Sequence, residues 1–162
     1  MKYLLVAVVF FGLGWFLLKG VEQPTAPSSN EDKVTSPVEQ ILPPAGGSIE
    51  VYDGVSVPKN STTLDLSGRG LTGSLKAEVR ELSQLEVLDI SNNNFTGLPA
   101  EVGQLSKLRV VNLSNNPFTG LPYELGDLQN LETLDLRGTD YALADLDVIK
   151  ESLPDTTEIL TD

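Results

Sequence analysis

The segment Leu85–Leu131 repeats with a period of 23 residues, and a period of that length restricts the chain to a stack of similar supersecondary units. Leu85, Leu88, Ile90, Asn93, Phe95, Leu98, Pro99, Val102 and Leu105 return as Leu108, Val111, Leu113, Asn116, Phe118, Leu121, Pro122, Leu125 and Leu128. No single unit of this size buries its apolar face alone, so the copies must share a core. Within each copy Leu88/Ile90 and Val111/Leu113 alternate with polar or small residues, the period of a short strand with one buried face. Asn93 and Asn116 follow the strand, where the chain must turn. A buried amide there can satisfy backbone groups of the adjoining copy and so form a ladder. Phe95 and Phe118 are expected to stack along the interior, and Gly97 and Gly120 to permit a tight turn. Pro99 and Pro122 are then expected to start a segment of about one helical turn, with Val102/Leu105 and Leu125/Leu128 facing inward.

The outer copies depart from the pattern. The first, near Ser61, has Leu64, Leu66, Leu71 and Leu75, carries Arg69 where Asn is expected, and has one extra residue at Ser74. The last has Leu131, Leu134, Leu136 and Tyr141, with Thr139 in place of Asn. Terminal units are expected to be atypical because they must close an open core. Ile49–Val57 reads as an N-terminal cap, with Pro58 limiting it to an edge strand. Ala144–Leu153 has a helical period that ends before Pro154 and reads as a capping helix, with Thr157–Leu160 as a final strand.

The motif L-x-x-L-x-L-x-x-N-x-F at Leu85–Phe95 and Leu108–Phe118, with its tail F-T-G-L-P, resembles the leucine-rich repeat proteins, particularly the receptor-type repeats of plants that bacteria also carry. The resemblance spans about residues 61–141. It implies an α/β solenoid, a right-handed horseshoe with a short parallel sheet of about four strands on the concave face and capped ends. It also implies that the concave strand surface recognises the ligand. Carried over by register, the outward positions are Thr63, Asp65, Ser67; Glu86, Val87, Asp89, Ser91; Arg109, Val110, Asn112, Ser114; and Glu132, Thr133, Asp135, Arg137. The candidate ligand-binding residues among them are Asp65, Glu86, Val87, Asp89, Arg109, Val110, Asn112, Glu132, Asp135 and Arg137. Asp65, Asp89, Asn112 and Asp135 form a mostly acidic column beside the milder Thr63, Val87, Val110 and Thr133. One reading is a groove for a basic or polar extended ligand, oriented by Arg109 and Arg137. The other is that the aspartates simply tie off neighbouring strand ends.

Composition narrows the chemistry. With no cysteine and no histidine, disulfides, thiol nucleophiles, histidine bases, Ser-His-Asp triads and His- or Cys-ligated zinc are excluded. Neither a metal nor a cofactor is expected, and no catalytic residue is singled out. Residues 48–162 hold eight basic and nineteen acidic side chains, a net −11 of the chain's −12, so nucleic acid is an unfavourable partner.

Tyr3–Leu18 is an uncharged apolar run between Lys2 and Lys19, intermediate in length between a secretory signal and a membrane span. The run continues past Gly12-Leu13-Gly14 through Trp15-Phe16-Leu17-Leu18, and no good peptidase site follows Lys19. Residues 1–20 are therefore read as an uncleaved membrane anchor, with a cleaved signal and secretion as the alternative. Residues 21–47, rich in Pro and Ser, read as an extended linker. Residues 48–60 form the N-terminal cap, 61–141 the repeats and 142–162 the C-terminal cap.

The expectation is a membrane-tethered, extracytoplasmic binding module for a protein, peptide or glycan, not an enzyme. The competing readings are a structural cell-envelope protein without a single ligand and a carboxylate-dependent hydrolase.

Overall fold

The computed structural model describes residues 46–162, which fall within one compact unit, Ile41–Asp162. The expected anchor at residues 3–18 and nearly all of the expected linker lie outside the described residues. Among the described residues, no helix is long and apolar enough to cross a membrane.

The described chain opens with an antiparallel hairpin, β1 (Ser48–Tyr52) and β2 (Val55–Pro58), in the register Ile49↔Val57. Asp53-Gly54 makes the reversal, with Gly54 at φ 74°. Ile49 and Val51 join the same apolar cluster as the first repeat, and Lys76 N–H donates to Val51 O at 2.8 Å.

The alternating positions of each repeat then form three-residue strands. They are β3 (Thr63–Asp65), β5 (Val87–Asp89), β7 (Val110–Asn112) and β8 (Thr133–Asp135), with β4 (Thr72–Gly73) and β6 (Asn94–Phe95) between them. A ten-residue helix, α1 (Leu143–Ser152), and β9 (Glu158–Leu160) complete the chain. One parallel sheet runs β3-β5-β7-β8-β9 without crossovers. Leu64, Leu88, Val111 and Leu134 occupy the middle of the first four strands, in register, and all are buried. The molecule is thus a solenoid-type repeat fold with a parallel sheet. Sequence periodicity counts four strands; the fifth comes from Glu158–Leu160, which lies outside the regular repeat.

The return path of each unit is a five-residue 3-10 segment: Ala77–Glu81, Ala100–Gln104 and Tyr123–Asp127. Pro99 and Pro122 hold the N-cap positions of the second and third, where a missing N–H costs nothing. Val79, Val102 and Leu125 point into the core. Gly103 lets consecutive segments touch: a Cβ there would lie 2.2 Å from Glu124 O. In the last turn of the stack α1 takes the place of a fourth 3-10 segment. Asp145 fastens it by accepting Leu121 N–H at 3.1 Å and the Tyr123 hydroxyl at 3.3 Å.

The asparagine ladder forms. The Asn93 amide donates to Leu66 O, Ile90 O and Ser91 O and accepts from Arg69 and Leu71 N–H, all within 2.9–3.1 Å. Asn116 donates to Ile90 O, Leu113 O and Ser114 O and accepts from Phe95 N–H at 2.9 Å. Thr139 cannot do the same; its hydroxyl donates only to Leu136 O, and the ladder ends there. Phe95 and Phe118 are fully buried.

Two features were not anticipated. The residue before each ladder position is left-handed in all four repeats: Gly68 (φ 64°), Asn92 (56°), Asn115 (54°) and Gly138 (67°). The turn expected at Gly97 and Gly120 is different; neither has a positive φ, and only the first repeat, with its extra Ser74, turns through Gly73 at 78°. Second, β4 and β6 pair in parallel on the far side of the unit. The Tyr52 hydroxyl closes the β4 edge, accepting Thr72 N–H at 3.1 Å and donating to Thr72 O at 2.9 Å. The small sheet stops after β6 because the next equivalent residue is Pro117, which has no N–H to give.

Candidate functional site

The open face of the five-stranded sheet collects most of the residues singled out from sequence. Strand parity puts every second side chain there, and parallel registration lines equivalent positions into columns. Thr63, Val87, Val110, Thr133 and Glu158 form one; Asp65, Asp89, Asn112, Asp135 and Leu160 form the next. Val87 and Val110 are adjacent and half-buried, an aliphatic centre among polar neighbours.

The acidic column is engaged with its own backbone. Asp65 accepts the Ser67 hydroxyl at 2.7 Å and the Ser67 N–H at 2.9 Å. The Ser67 hydroxyl first, and its N–H second, hold the Asp65 carboxyl below the ordinary carboxylate value. Asp89 accepts Ser91 N–H at 2.9 Å and the Asn112 amide at 3.1 Å. Asn112 accepts the N–H and hydroxyl of Ser114. These turns fold the serines inward, so Ser91 (3 % exposed) and Ser114 (7 %) are not outward positions.

Asp135 is only 6 % exposed. Arg137 folds back over it with two side-chain bonds, 3.0 and 2.6 Å, and a backbone N–H at 3.1 Å. The Arg137 guanidinium lowers the Asp135 pKa, and the carboxylate in turn raises that of Arg137. Asp135 is thereby covered, whereas the Arg137 side chain, though bound to it, stays exposed.

Just before the strands lies a second column: Thr62, Glu86, Arg109 and Glu132, joined by Glu86 N–H to Thr62 O, Arg109 N–H to Glu86 O and Glu132 N–H to Arg109 O. Arg109 clasps Glu132 through two parallel bonds of 2.8 and 2.9 Å and stands 4.0 Å from Glu86. The Arg109 guanidinium lowers the Glu132 pKa, and Glu132 raises that of Arg109. Lys107 and Asn130 join these three around a shallow depression of about 330 Å³. Lys107 donates to Gln84, and Asn130 to Ser106 O at 2.7 Å. The signal for both was present in the sequence, since Gln84, Lys107 and Asn130 share one repeat position.

The ten candidates therefore fall into three groups. Val87, Val110, Asp89 and Asn112 are contiguous on the central strands. Glu86, Arg109 and Glu132 form a charged rim along one edge. Asp65 stands on the first strand and the Asp135–Arg137 pair on the fourth. Arg109, just before β7, and Arg137, just after β8, are each matched to a carboxylate, whereas Asp65 and Asp89 have no ion-pair partner among the described residues. No group of three or more His, Cys, Asp or Glu side chains among the described residues is placed to hold a metal ion.

Residues 81–140 match the family described as Leucine rich repeat. No curated protein matches the sequence. Among solved structures, the chain is similar to a leucine-rich repeat protein of Leptospira interrogans, at 39 % identity and a TM-score of 0.50 over 54 % of this chain. It is also similar to the structure titled PEPR1-AtPEP1, at 29 % identity and a TM-score of 0.52 over 62 %. A plant peptide hormone receptor, RGFR1, solved in complex with RGF2, is similar at 28 % identity and a TM-score of 0.52 over 64 %. The chain spans 22 %, 14 % and 17 % of those proteins' lengths, respectively. By its match and by its structural likeness, the segment 81–140 is built of leucine-rich repeats.

Proposed function

We propose that the chain is a membrane-tethered, extracytoplasmic recognition module, a short capped horseshoe that holds a protein or peptide on the concave face of its sheet. The observation that carries the reading is the pairing of Val87 with Val110 in register at the middle of that face. Around them lie Glu86, Asp89, Arg109 and Asn112. An aliphatic centre with a polar rim is the anatomy of a protein-binding surface. The likeness to PEPR1-AtPEP1 and to a peptide hormone receptor in complex with RGF2 supports a peptide as ligand. The carboxylates Asp65 and Asp89, hydrogen-bonded but without an ion-pair partner among the described residues, favour a ligand with cationic side chains on the β3–β5 side. Arg109 and Arg137 act mainly by holding Glu132 and Asp135. The apolar run at residues 3–18 is the tether and the Pro/Ser-rich stretch at 21–47 the spacer.

Selection of random displayed peptides on the full chain tests the face. Enriched peptides should carry Lys or Arg, bind V87D/V110D at least tenfold more weakly, and bind the far-side variant Glu101→Lys unchanged. Equal binding to V87D/V110D would remove the face from consideration. Protease treatment of intact expressing cells tests the tether: the repeat unit should be digested while a short N-terminal fragment stays with the membrane. A soluble, intact repeat unit contradicts that part.

A further inference from the structure

The two outer edges of the five-stranded sheet are treated differently. At β3, parity turns Leu66 towards β5, where its N–H meets Asp89 O, and turns Asp65 outward. The outward Asp65 carbonyl is covered by Arg69, whose guanidinium donates to it at 2.7 Å. An arginine laid over a free carbonyl blunts an edge against pairing. At β9, Glu158 N–H meets Glu132 O and Leu160 O accepts Leu136 N–H, so both face β8. Ile159 between them turns its own N–H and C=O outward, and no side chain among the described residues covers them. Its side chain occupies the position of the buried Leu64, Leu88, Val111 and Leu134, yet is only partly buried.

Beside this edge is a depression of about 270 Å³ lined by Lys150, Leu153, Pro154, Asp155, Thr157 and Ile159. Its lining combines Leu153, Pro154 and Ile159 with one charge of each sign. Neither Lys150 nor Asp155 has an ion-pair partner among the described residues.

We propose that β9 is the contact surface for a second copy of this chain, paired antiparallel across a two-fold axis at Ile159. Only a two-fold uses the same patch on both partners. It brings Ile159 of each copy opposite its mate, so that each N–H donates to the other's C=O. The partly buried isoleucines then cover one another over the two depressions, and Lys150 of one copy meets Asp155 of the other. A foreign strand would satisfy the edge but has no reason to match a lysine and an aspartate in that order. Head-to-tail stacking of β9 on β3 meets the Arg69 guard. This surface is separate from the Val87–Val110 face, so the two readings stand or fall independently.

The chain has no cysteine, so one introduced thiol reports one contact. Directly opposed residues of a hydrogen-bonded antiparallel pair have Cα atoms about 5.5 Å apart, within disulfide range. In the full chain held in detergent, Ile159→Cys should oxidise to a linked dimer at least tenfold faster than Thr63→Cys on the guarded edge. In the Ile159→Cys background, Lys150→Asp or Asp155→Lys alone should slow linkage severalfold, and the two together should restore it. Sedimentation of the chain without any substitution should give the dimer mass, which guards against a folding defect in the variants. Linkage of Ile159→Cys no faster than that of Thr63→Cys overturns the proposal. So does a monomer by sedimentation, or a double reversal no faster than the single ones.

Discussion

Asn116 shows how much of this fold rests on single side chains. Its amide closes three carbonyls and one N–H that are out of reach of water. Each buried polar group left without a partner costs about 1–3 kcal/mol. Asn116→Ala should therefore lower stability by about 3 kcal/mol or more in urea unfolding, and Thr139→Ala, which loses one bond, by about 1 kcal/mol. Equal losses would mean that the ladder is not the main tie between units. The ladder was legible in the sequence because it recurs at a fixed position. The left-handed column beside it was less so, because its residue changes from Gly to Asn and back. The common property is tolerance of positive φ. Asn115→Val should cost about 1–2 kcal/mol for that reason.

Asp135 supplies a pH signature. Arg137 lowers its pKa in the folded state, so its stabilising contribution is complete above the unfolded carboxyl value, about 4. It is lost as pH falls through the lowered folded value. Arg137→Ala removes the cause. The variant should have a lower urea midpoint than the parent chain at pH 7, and the gap should narrow as the pH falls through the lowered folded value and Asp135 takes up its proton. A gap that stays constant with pH would assign the effect to packing of the arginine stem instead.

Among the elements, the strands and 3-10 segments were readable from the repeat, since alternation and the Pro-x-Glu-(Val/Leu)-Gly stretch each occur twice. The small β4–β6 sheet was not. It has only two residues per strand, depends on Tyr52 from a distant hairpin, and is stopped by Pro117. β9 was readable only as a strand; that it extends the main sheet depends on α1 carrying the chain back to β8. Close approach of neighbouring segments makes its own prediction. Gly103→Ala forces a methyl against the Glu124 carbonyl and should destabilise by about 1–3 kcal/mol. Gly97→Ala meets open space and should change the urea midpoint little. A tolerated Gly103→Ala would show that the second and third segments slide apart easily.

For the whole molecule, the repeat decides where side chains go, and the positions that vary decide what they meet. Sequence register put Val87 beside Val110 and Asp89 beside Asn112, and the strands pair that way. It could not show that Asp135 lies under Arg137 or that Arg109 is spent on Glu132, because those contacts depend on rotamers and not on period. What remains open on the face is a small aliphatic centre with carboxylates to one side.

The most direct measurement is methyl NMR of the full chain in detergent with an added selected peptide. The Val87 and Val110 methyl signals should shift together and saturate at one equivalent, while those of Val55, Val57 and Val148 stay in place. Saturable shifts at Val148 or in the β1–β2 hairpin, with Val87 and Val110 unmoved, would contradict the proposed face.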